Sequence, residues 1–299
     1  MENILQKVSR FVSLADEEIQ RNNEILKSVF DVIIQNMKSV DQLFEALYRR
    51  PFYGGSYYDR LHVKTLGQSY DYDLDLLLSI PKKASPTLIR SHIPGHIKLQ
   101  VQNVSWFETK ETSSIYPKFK KIFLDDDNFL ITDKALRWME SVVQKSFNRL
   151  LLLPFVTSYL LVGAKEFPIR FSKSGPALTL HVGVGDCTLD VDLVISFVFT
   201  KDEWPHDSPN PYSKYLSCGG SSCFNEFFIV AKKPKDVSDY VLPERHWRLS
   251  FQEQERQLIA NKGRLKPVGR LLKKLKKKQQ HDRQLLHQNS SSFDGGTKK

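Results

Sequence analysis

Asp71-Tyr72-Asp73-Leu74-Asp75-Leu76-Leu77-Leu78-Ser79-Ile80-Pro81, preceded by Gly54-Gly55-Ser56, is the stretch on which the fold of this chain turns. Tyr72 to Ile80 has the apolar content of a strand bound for a core, yet its start is acidic. A carboxylate on such a strand is costly unless something compensates it, and a divalent cation is the usual compensation. Residues i and i+2 share one face of a strand. Asp71 and Asp73 therefore point the same way, as do Asp73 and Asp75. The glycines upstream let backbone approach a phosphate closely, and a Ser hydroxyl with its backbone N–H can hold phosphate oxygens.

A second acidic strand lies farther along, in Leu189-Asp190-Val191-Asp192-Leu193-Val194-Ile195. If it pairs with the first, two or three carboxylates converge. Close carboxylates repel one another and their pKa values rise in the absence of a cation. Two Mg²⁺ or Mn²⁺ ions shared with a triphosphate would satisfy such a cluster, the arrangement used for in-line phosphoryl transfer.

Composition sets the frame around this stretch. The chain has 299 residues, 40% hydrophobic and 26% charged, which is enough for a sizeable core in one large domain or two lobes. Cys187, Cys218 and Cys223 do not make a disulfide framework, so a reducing compartment is expected. The N-terminus lacks a basic segment followed by an apolar run, so no signal peptide is expected. The most apolar stretch, 150–162, is too short to span a bilayer and contains Pro154. No transmembrane segment is expected, and the localisation read from these features is cytoplasmic, with the nucleus as an alternative. The net charge of +10 lies wholly in Val241–Lys299, where fifteen Lys/Arg face five Asp/Glu. A polyanionic partner would meet the chain there.

Apolar residues at Ile4, Val8, Phe11, Ala15, Ile19, Leu26, Phe30, Ile33, Met37, Val40, Phe44 and Leu47 keep helical spacing, which predicts one long helix over about 3–47. Strands are predicted at Tyr72–Ile80, Ile97–Phe107, Ala177–Val184, Thr188–Phe199 and Phe227–Ala231, and a helix at Thr132–Leu152. Asp125-Asp126-Asp127 reads as a solvated turn or helix start, and Trp204–Pro211 as a loop. Ser250-Phe251-Gln252-Glu253 reads as a capping box opening a helix to about Ala260. A lysine-faced amphipathic helix follows (Val268, Leu271, Leu272, Leu275), and Asn289–Lys299 has the composition of a disordered tail.

Glycine-serine, then a spaced acidic pair, then a distant aspartate on another apolar strand is the order of the polymerase-β-type nucleotidyltransferases. The resemblance narrows to the cyclic GMP-AMP synthase (cGAS)-like receptor family on three segments. Gly55-Ser56-Tyr57-Tyr58 with Asp71-Tyr72-Asp73 and Pro81 resembles the family's Gly-Ser-Tyr-Tyr … acidic-Phe-Asp … Pro pattern. Leu189-Asp190-Val191-Asp192-Leu193 resembles its third-carboxylate strand, where the aspartate follows a valine, and this selects Asp192 over Asp190. His246-Trp247-Arg248-Leu249-Ser250-Phe251 with Glu255 resembles its Trp-Arg-Leu-Ser-Phe signature. The likeness runs from about residue 1 to 278.

The resemblance implies an α+β fold: a polymerase-β-type nucleotidyltransferase core with a long N-terminal spine helix and a short, truncated helical C-terminal lobe. The implied domains are a spine helix at 1–48, the core at 49–240, the start of a basic helical lobe at 241–285, and a disordered tail at 286–299. Carried over residue by residue, Ser56 contacts ATP. Asp71, Asp73 and Asp192 are the catalytic carboxylates and hold Mg²⁺ or Mn²⁺, with Asp192 also at GTP. The register with Pro81 favours Asp71/Asp73, and Asp75 stays a competitor. Arg248, Leu249, Ser250, Phe251, Gln252, Glu253, Gln254 and Glu255 line the GTP and ATP pockets, and Lys273 reaches ATP phosphate.

Between 257 and 269, where vertebrate DNA-sensing members carry one His and three Cys, this chain has neither. That implies no zinc and an insect-type receptor, with double-stranded RNA as the activating ligand class and DNA as the alternative. The implied activity joins ATP and GTP into a cyclic dinucleotide such as cGAMP, read by a STING-like receptor in antiviral innate immunity. The family's Ser-Tyr-x-x-Lys-Thr stretch is not reproduced by Ser290-Ser291-Ser292-Phe293. This leaves a second reading open, a catalytically impaired nucleic-acid-binding or interaction module of the same fold.

Overall fold

The computed structural model describes residues 7–8, 13–63, 69–109, 115–150, 158–174, 177–205, 225–235, 242–260, 262–263, 265–276 and 278–279. Cys218, Cys223, the start of the N-terminal stripe and the tail from 286 lie outside them.

The stripe of the N-terminal segment is carried by two helices rather than one. Helix α1 (Asp16–Val40) buries Leu26, Val29, Phe30, Ile33, Ile34 and Met37. Asp41 then leaves helical geometry and caps a second helix, α2 (Gln42–Leu47), by accepting from Phe44 N–H at 2.9 Å. An aspartate is a better cap than an interior residue, because its short side chain competes for backbone donors. Leu43, Phe44 and Leu47 keep the buried face across the break.

Strand β1 (Tyr48–Gly54), which follows directly on α2, is not among the strands expected from sequence. Among the described residues it pairs only with β2 (Ser69–Leu78), and its Pro51 is accommodated at that edge. The sheet continues through β3 (Pro86–Arg90), β4 (His96–Val101), β5 (Ser158–Val162), β6 (Lys165–Ser174), β7 (Ala177–Val184), β8 (Cys187–Thr200), β9 (Glu226–Val230) and β10 (His246–Ser250). Its order is β3-β4-β10-β9-β8-β7-β6-β5, with β2 attached to β8. The long β8 is the axis. It pairs with β7 over 187–193 and with β9 over 196–200, while β2 runs parallel beside 188–197.

One face of the sheet is covered by α1 and the helix Thr132–Leu150. Tyr72, Leu74, Leu76 and Leu78 of β2 and Leu189, Val191, Leu193, Ile195 and Phe197 of β8 enter that core at 0–2% exposure. Each such side chain contributes roughly 1.5–3 kcal/mol of burial. Trp247 is fully buried there and its indole N–H donates to the Leu130 carbonyl at 2.9 Å.

Two local readings change. The candidate strand at Ile97–Phe107 ends at Val101, and Val104–Glu108 is a 3₁₀ turn. Ser250 is the last residue of β10, so the capping box does not form. The helix that follows, Gln252–Ile259, starts behind Phe251 without a side-chain cap. Asp125–Asp127 is a turn, with Asp125 and Asp127 both ion-paired to Arg245 at 2.6 Å. Residues 265–276 are helical, and Leu265, Val268, Leu272 and Leu275 are 52–62% exposed on it. Among the described residues no helix is long and apolar enough to cross a membrane.

Candidate active site

The acidic residues lie on the sheet face opposite Tyr72, Leu74, Val191 and Leu193. β2 and β8 are parallel and in register, so Asp71 lies beside Asp190 and Asp73 beside Asp192. Cross-strand partners share a face, and so do alternate residues of one strand. Asp71, Asp73, Asp190 and Asp192 thus form a two-by-two array. The strands predicted separately from sequence are adjacent strands, and Asp71, Asp73 and Asp192 come together as expected.

The neighbouring strand β7 orients the β8 carboxylates. Thr179 lies opposite Asp192 and donates to its Oδ1 at 2.5 Å; His181 lies opposite Asp190 with Nδ1 at 2.6 Å from its Oδ1. Neither residue was recognised in the sequence. Their signal was present in the hairpin: Gly185-Asp186 is a two-residue turn that sets Val184 against Cys187, and counting back gives both pairs.

The Gly-Gly-Ser turn sits on top of the array. Gly54 pairs with Asp73 at the end of β1, and Gly55 takes φ +75° as the chain turns into Ser56-Tyr57-Tyr58. A Cβ on Gly55 would stand 1.8 Å from Asp73 Oδ2, so only glycine lets the turn approach that carboxylate. This places Ser56, half-buried, directly after the closest backbone approach to Asp73. Behind the turn, Tyr57 packs on Tyr72 with ring centroids 4.1 Å apart.

The turn is also held from the C-terminal side. Arg256 donates to Asp59 Oδ1 at 3.0 Å and to the Tyr53 carbonyl, and its guanidinium lies 4.9 Å over the Phe52 ring. Arg270 donates to the Arg60 carbonyl at 2.8 Å. These two arginines, which the sequence did not single out, bracket the Gly-Ser-Tyr-Tyr segment.

The Trp-Arg-Leu-Ser-Phe block divides by face. Arg248 pairs with Val230, which pairs with Ser196, so Arg248 and Ser250 share the carboxylate face. Leu249 and Phe251 pack into the core instead, and Gln254 is buried with Nε2 on the Glu226 carbonyl. The side chains of Leu249 and Phe251 thus lie on the sheet face opposite Arg248 and Ser250. Gln252, Glu253 and Glu255 lie on the helix that follows, with Gln252 reaching Asp75 at 2.8 Å. His246 is buried, bonds Ser91 through Nδ1, and is held down at about 4 by burial and by Lys98, so it is a neutral structural residue.

Asp75, the competitor for the acidic pair, has a different environment. It is 3% exposed and bonded to Gln252, whereas Asp71 and Asp73 are exposed. Burial pushes its carboxyl up to about 7, Asp73 adds to this, and Arg248 and Gln252 oppose it. A raised carboxyl binds its proton more tightly in the folded chain. Stability is therefore highest below the ordinary carboxyl range and falls as pH rises from about 4 to about 7. Without divalent cations, the chain is expected to lose on the order of 2 kcal/mol between pH 5 and pH 8 from this group. Asp75→Asn should remove that slope in urea-unfolding midpoints; an unchanged slope would contradict the assignment.

Asp73, although its side chain is exposed, is likewise pushed up, first by lost solvation where the Gly55 backbone lies against its carboxylate, then by Asp192 and Asp71, with Lys273 pulling it down. Lys273, on the basic helix, thus acts electrostatically on the carboxylate array. Among the described residues no group of three His, Cys, Asp or Glu forms a ready-made metal cage. The donor chemistry still fits a hard cation. Asp71, Asp73 and Asp192 offer carboxylate oxygens, the donors a hard cation takes, and their like charges repel one another.

Comparison with known proteins gives the same family. Residues 57–261 match the Mab-21 protein nucleotidyltransferase domain. The chain is 46% identical to a cyclic GMP-AMP synthase-like receptor of Tribolium castaneum over 93% of its own length and 68% of that protein. It is 35% identical to one of Aethina tumida over 95% of its length and 67% of that protein. Among solved structures, Vibrio cholerae DncV cyclic AMP-GMP synthase is similar with TM-score 0.42 and 11% identity, covering 88% of this chain and 62% of that one. The chain thus spans about two thirds of the length of these two receptors. By its matched domain and its curated relatives, it belongs to the Mab-21 nucleotidyltransferase family, among the cyclic GMP-AMP synthase-like receptors.

Proposed function

We propose that the chain is a metal-dependent nucleotidyltransferase that joins ATP and GTP into a cyclic dinucleotide such as cGAMP when double-stranded RNA binds its basic surface. The observation that carries this reading is the in-register array of Asp71, Asp73 and Asp192 beneath the Gly54-Gly55-Ser56 turn. Asp71, Asp73 and Asp192 would hold Mg²⁺ or Mn²⁺, which when bound neutralises triphosphate charge and lowers the pKa of the attacking hydroxyl.

The chain's own residues do the rest. Ser56 and the backbone after Gly55 hold the triphosphate against the array. Arg248 and Ser250 orient the nucleotide along β10. Gln252 fixes Asp75, and Thr179 fixes Asp192, so the carboxylates keep their places as the acceptor hydroxyl approaches. Arg256 and Arg270 hold the turn, so a movement of the basic C-terminal helices would reach Ser56 through them. Lysines of the 265–276 helix suit the backbone of A-form RNA, which is recognised by shape and phosphate. The product would act on a STING-type receptor, and the site of action would be the cytoplasm.

Incubation with ATP, GTP and Mn²⁺, with and without double-stranded RNA or DNA, tests this by product mass. A dinucleotide that depends on RNA supports the reading. Dependence on DNA alone replaces the activator. No dinucleotide under any condition, with RNA still bound, would favour the binding module.

A further inference from the structure

Four carboxylates share the array, although three suffice for the proposed cation site. What distinguishes Asp190 from Asp192 is how many of its oxygens are taken. Asp192 is met at Oδ1 by the Thr179 hydroxyl at 2.5 Å, and its Oδ2 has no side-chain hydrogen bond among the described residues. Asp190 is engaged at both oxygens. His181 Nδ1 lies 2.6 Å from Oδ1, and the Ser69 hydroxyl donates to Oδ2 at 2.5 Å. The far side of the imidazole is also satisfied, with Nε2 at 2.8 Å from the Ser172 hydroxyl. His181 thus bridges Asp190 and Ser172 through its two ring nitrogens, so strands β6, β7, β8 and β2 are joined by one line of hydrogen bonds.

We propose that His181 is a positioning residue that withholds Asp190 from the cation, so that the metal is directed to Asp71, Asp73 and Asp192. The inference rests on the metal-dependent reading of the site. Its physical basis is competition. Asp190 stands beside Asp71 in register, and an unengaged carboxylate there would offer a hard cation a second resting place at the wrong edge of the array. Outer partners of this kind typically alter metal affinity or activity by about 10–100-fold when removed. Ser69 holds one oxygen of Asp190 from β2, the strand that also carries Asp71, and His181 holds the other from β7.

The test is Mn²⁺ titration followed by electron paramagnetic resonance, on the full chain and four variants, with circular dichroism to confirm folding. Asp190→Asn should bind Mn²⁺ within about twofold of the parent, and Asp192→Asn should weaken it at least about tenfold. His181→Ala should show an added class of Mn²⁺ site, and the double variant His181→Ala/Asp190→Asn should lose that class again. His181→Gln, which keeps a donor for Asp190, should behave as the parent. Nucleotidyl transfer by His181→Ala should fall about tenfold in kcat with little change in KM for ATP. Asp190→Asn losing Mn²⁺ as strongly as Asp192→Asn would overturn the proposal, because Asp190 would then be a ligand. A His181→Ala titration identical to the parent would also overturn it. Unchanged Mn²⁺ binding in Asp192→Asn would instead overturn the reading of the site itself.

Discussion

Asp192→Asn is expected to lower nucleotidyl transfer by about 10³-fold while leaving the fold intact. Loss of one carboxylate from a shared cation site removes several kcal/mol of transition-state stabilisation, and each 1.36 kcal/mol is tenfold in rate. The fold should tolerate the change for specific reasons. Asn keeps an oxygen for the Thr179 hydroxyl, and the core side of β8, at Val191 and Leu193, is untouched. Removing the charge also relieves Asp73, whose carboxyl is pushed up partly by Asp192. Without cation, the variant should therefore unfold at the parent's temperature or slightly above it. Steady-state product formation and a thermal melt check both halves. Turnover within tenfold of the parent would contradict the assignment of Asp192.

Gly55→Ala is expected to damage both the fold and the site. At φ +75° any other residue is strained, by roughly 1–2 kcal/mol. The added methyl would also stand 1.8 Å from Asp73 Oδ2 and 2.7 Å from its Cγ, so the carboxylate or the turn must move. Two other glycines separate these effects. Gly95 has φ +72° with nothing within 4 Å of a Cβ, so Gly95→Ala reports strain alone. Gly54 has no positive φ, and a Cβ there meets the end of the Gln252 side chain at 2.0 Å, so Gly54→Ala reports displacement of the amide that holds Asp75 without backbone strain. Gly55→Ala should thus exceed Gly95→Ala in stability loss and, unlike Gly95→Ala, should reduce activity by about 10²-fold or more. Equal losses for Gly55→Ala and Gly95→Ala would remove the contact with Asp73 from the argument.

The acidic pair was legible in sequence because strand periodicity is local: alternate residues of an apolar run must share a face. The pairing of β2 with β8 was only a condition in the sequence, since parallel neighbours are joined by long connections without a turn signal. The environment of Asp75 was not legible at all, because its burial depends on Gln252 and Arg248, some 175 residues away. Asp41 and Ser250 show the opposite failure. Both were read by local rules, the first as helix interior and the second as a cap. In the structure Asp41 caps a helix, and the ladder of β10 with β9 takes Ser250. The split of Arg248 and Leu249 between two faces follows from that same strand, since alternation sends Leu249 to the core and Arg248 to the carboxylate face.

The most direct test of the central claim is a crystal of this chain soaked with Mn²⁺ and a non-hydrolysable ATP analogue, examined for anomalous scattering. Mn²⁺ peaks bracketed by the carboxylates of Asp71, Asp73 and Asp192, with the triphosphate against Gly54-Gly55-Ser56, are the expected result. Nucleotide and metal bound away from that array, or Mn²⁺ held by Asp190 in place of Asp192, would contradict it.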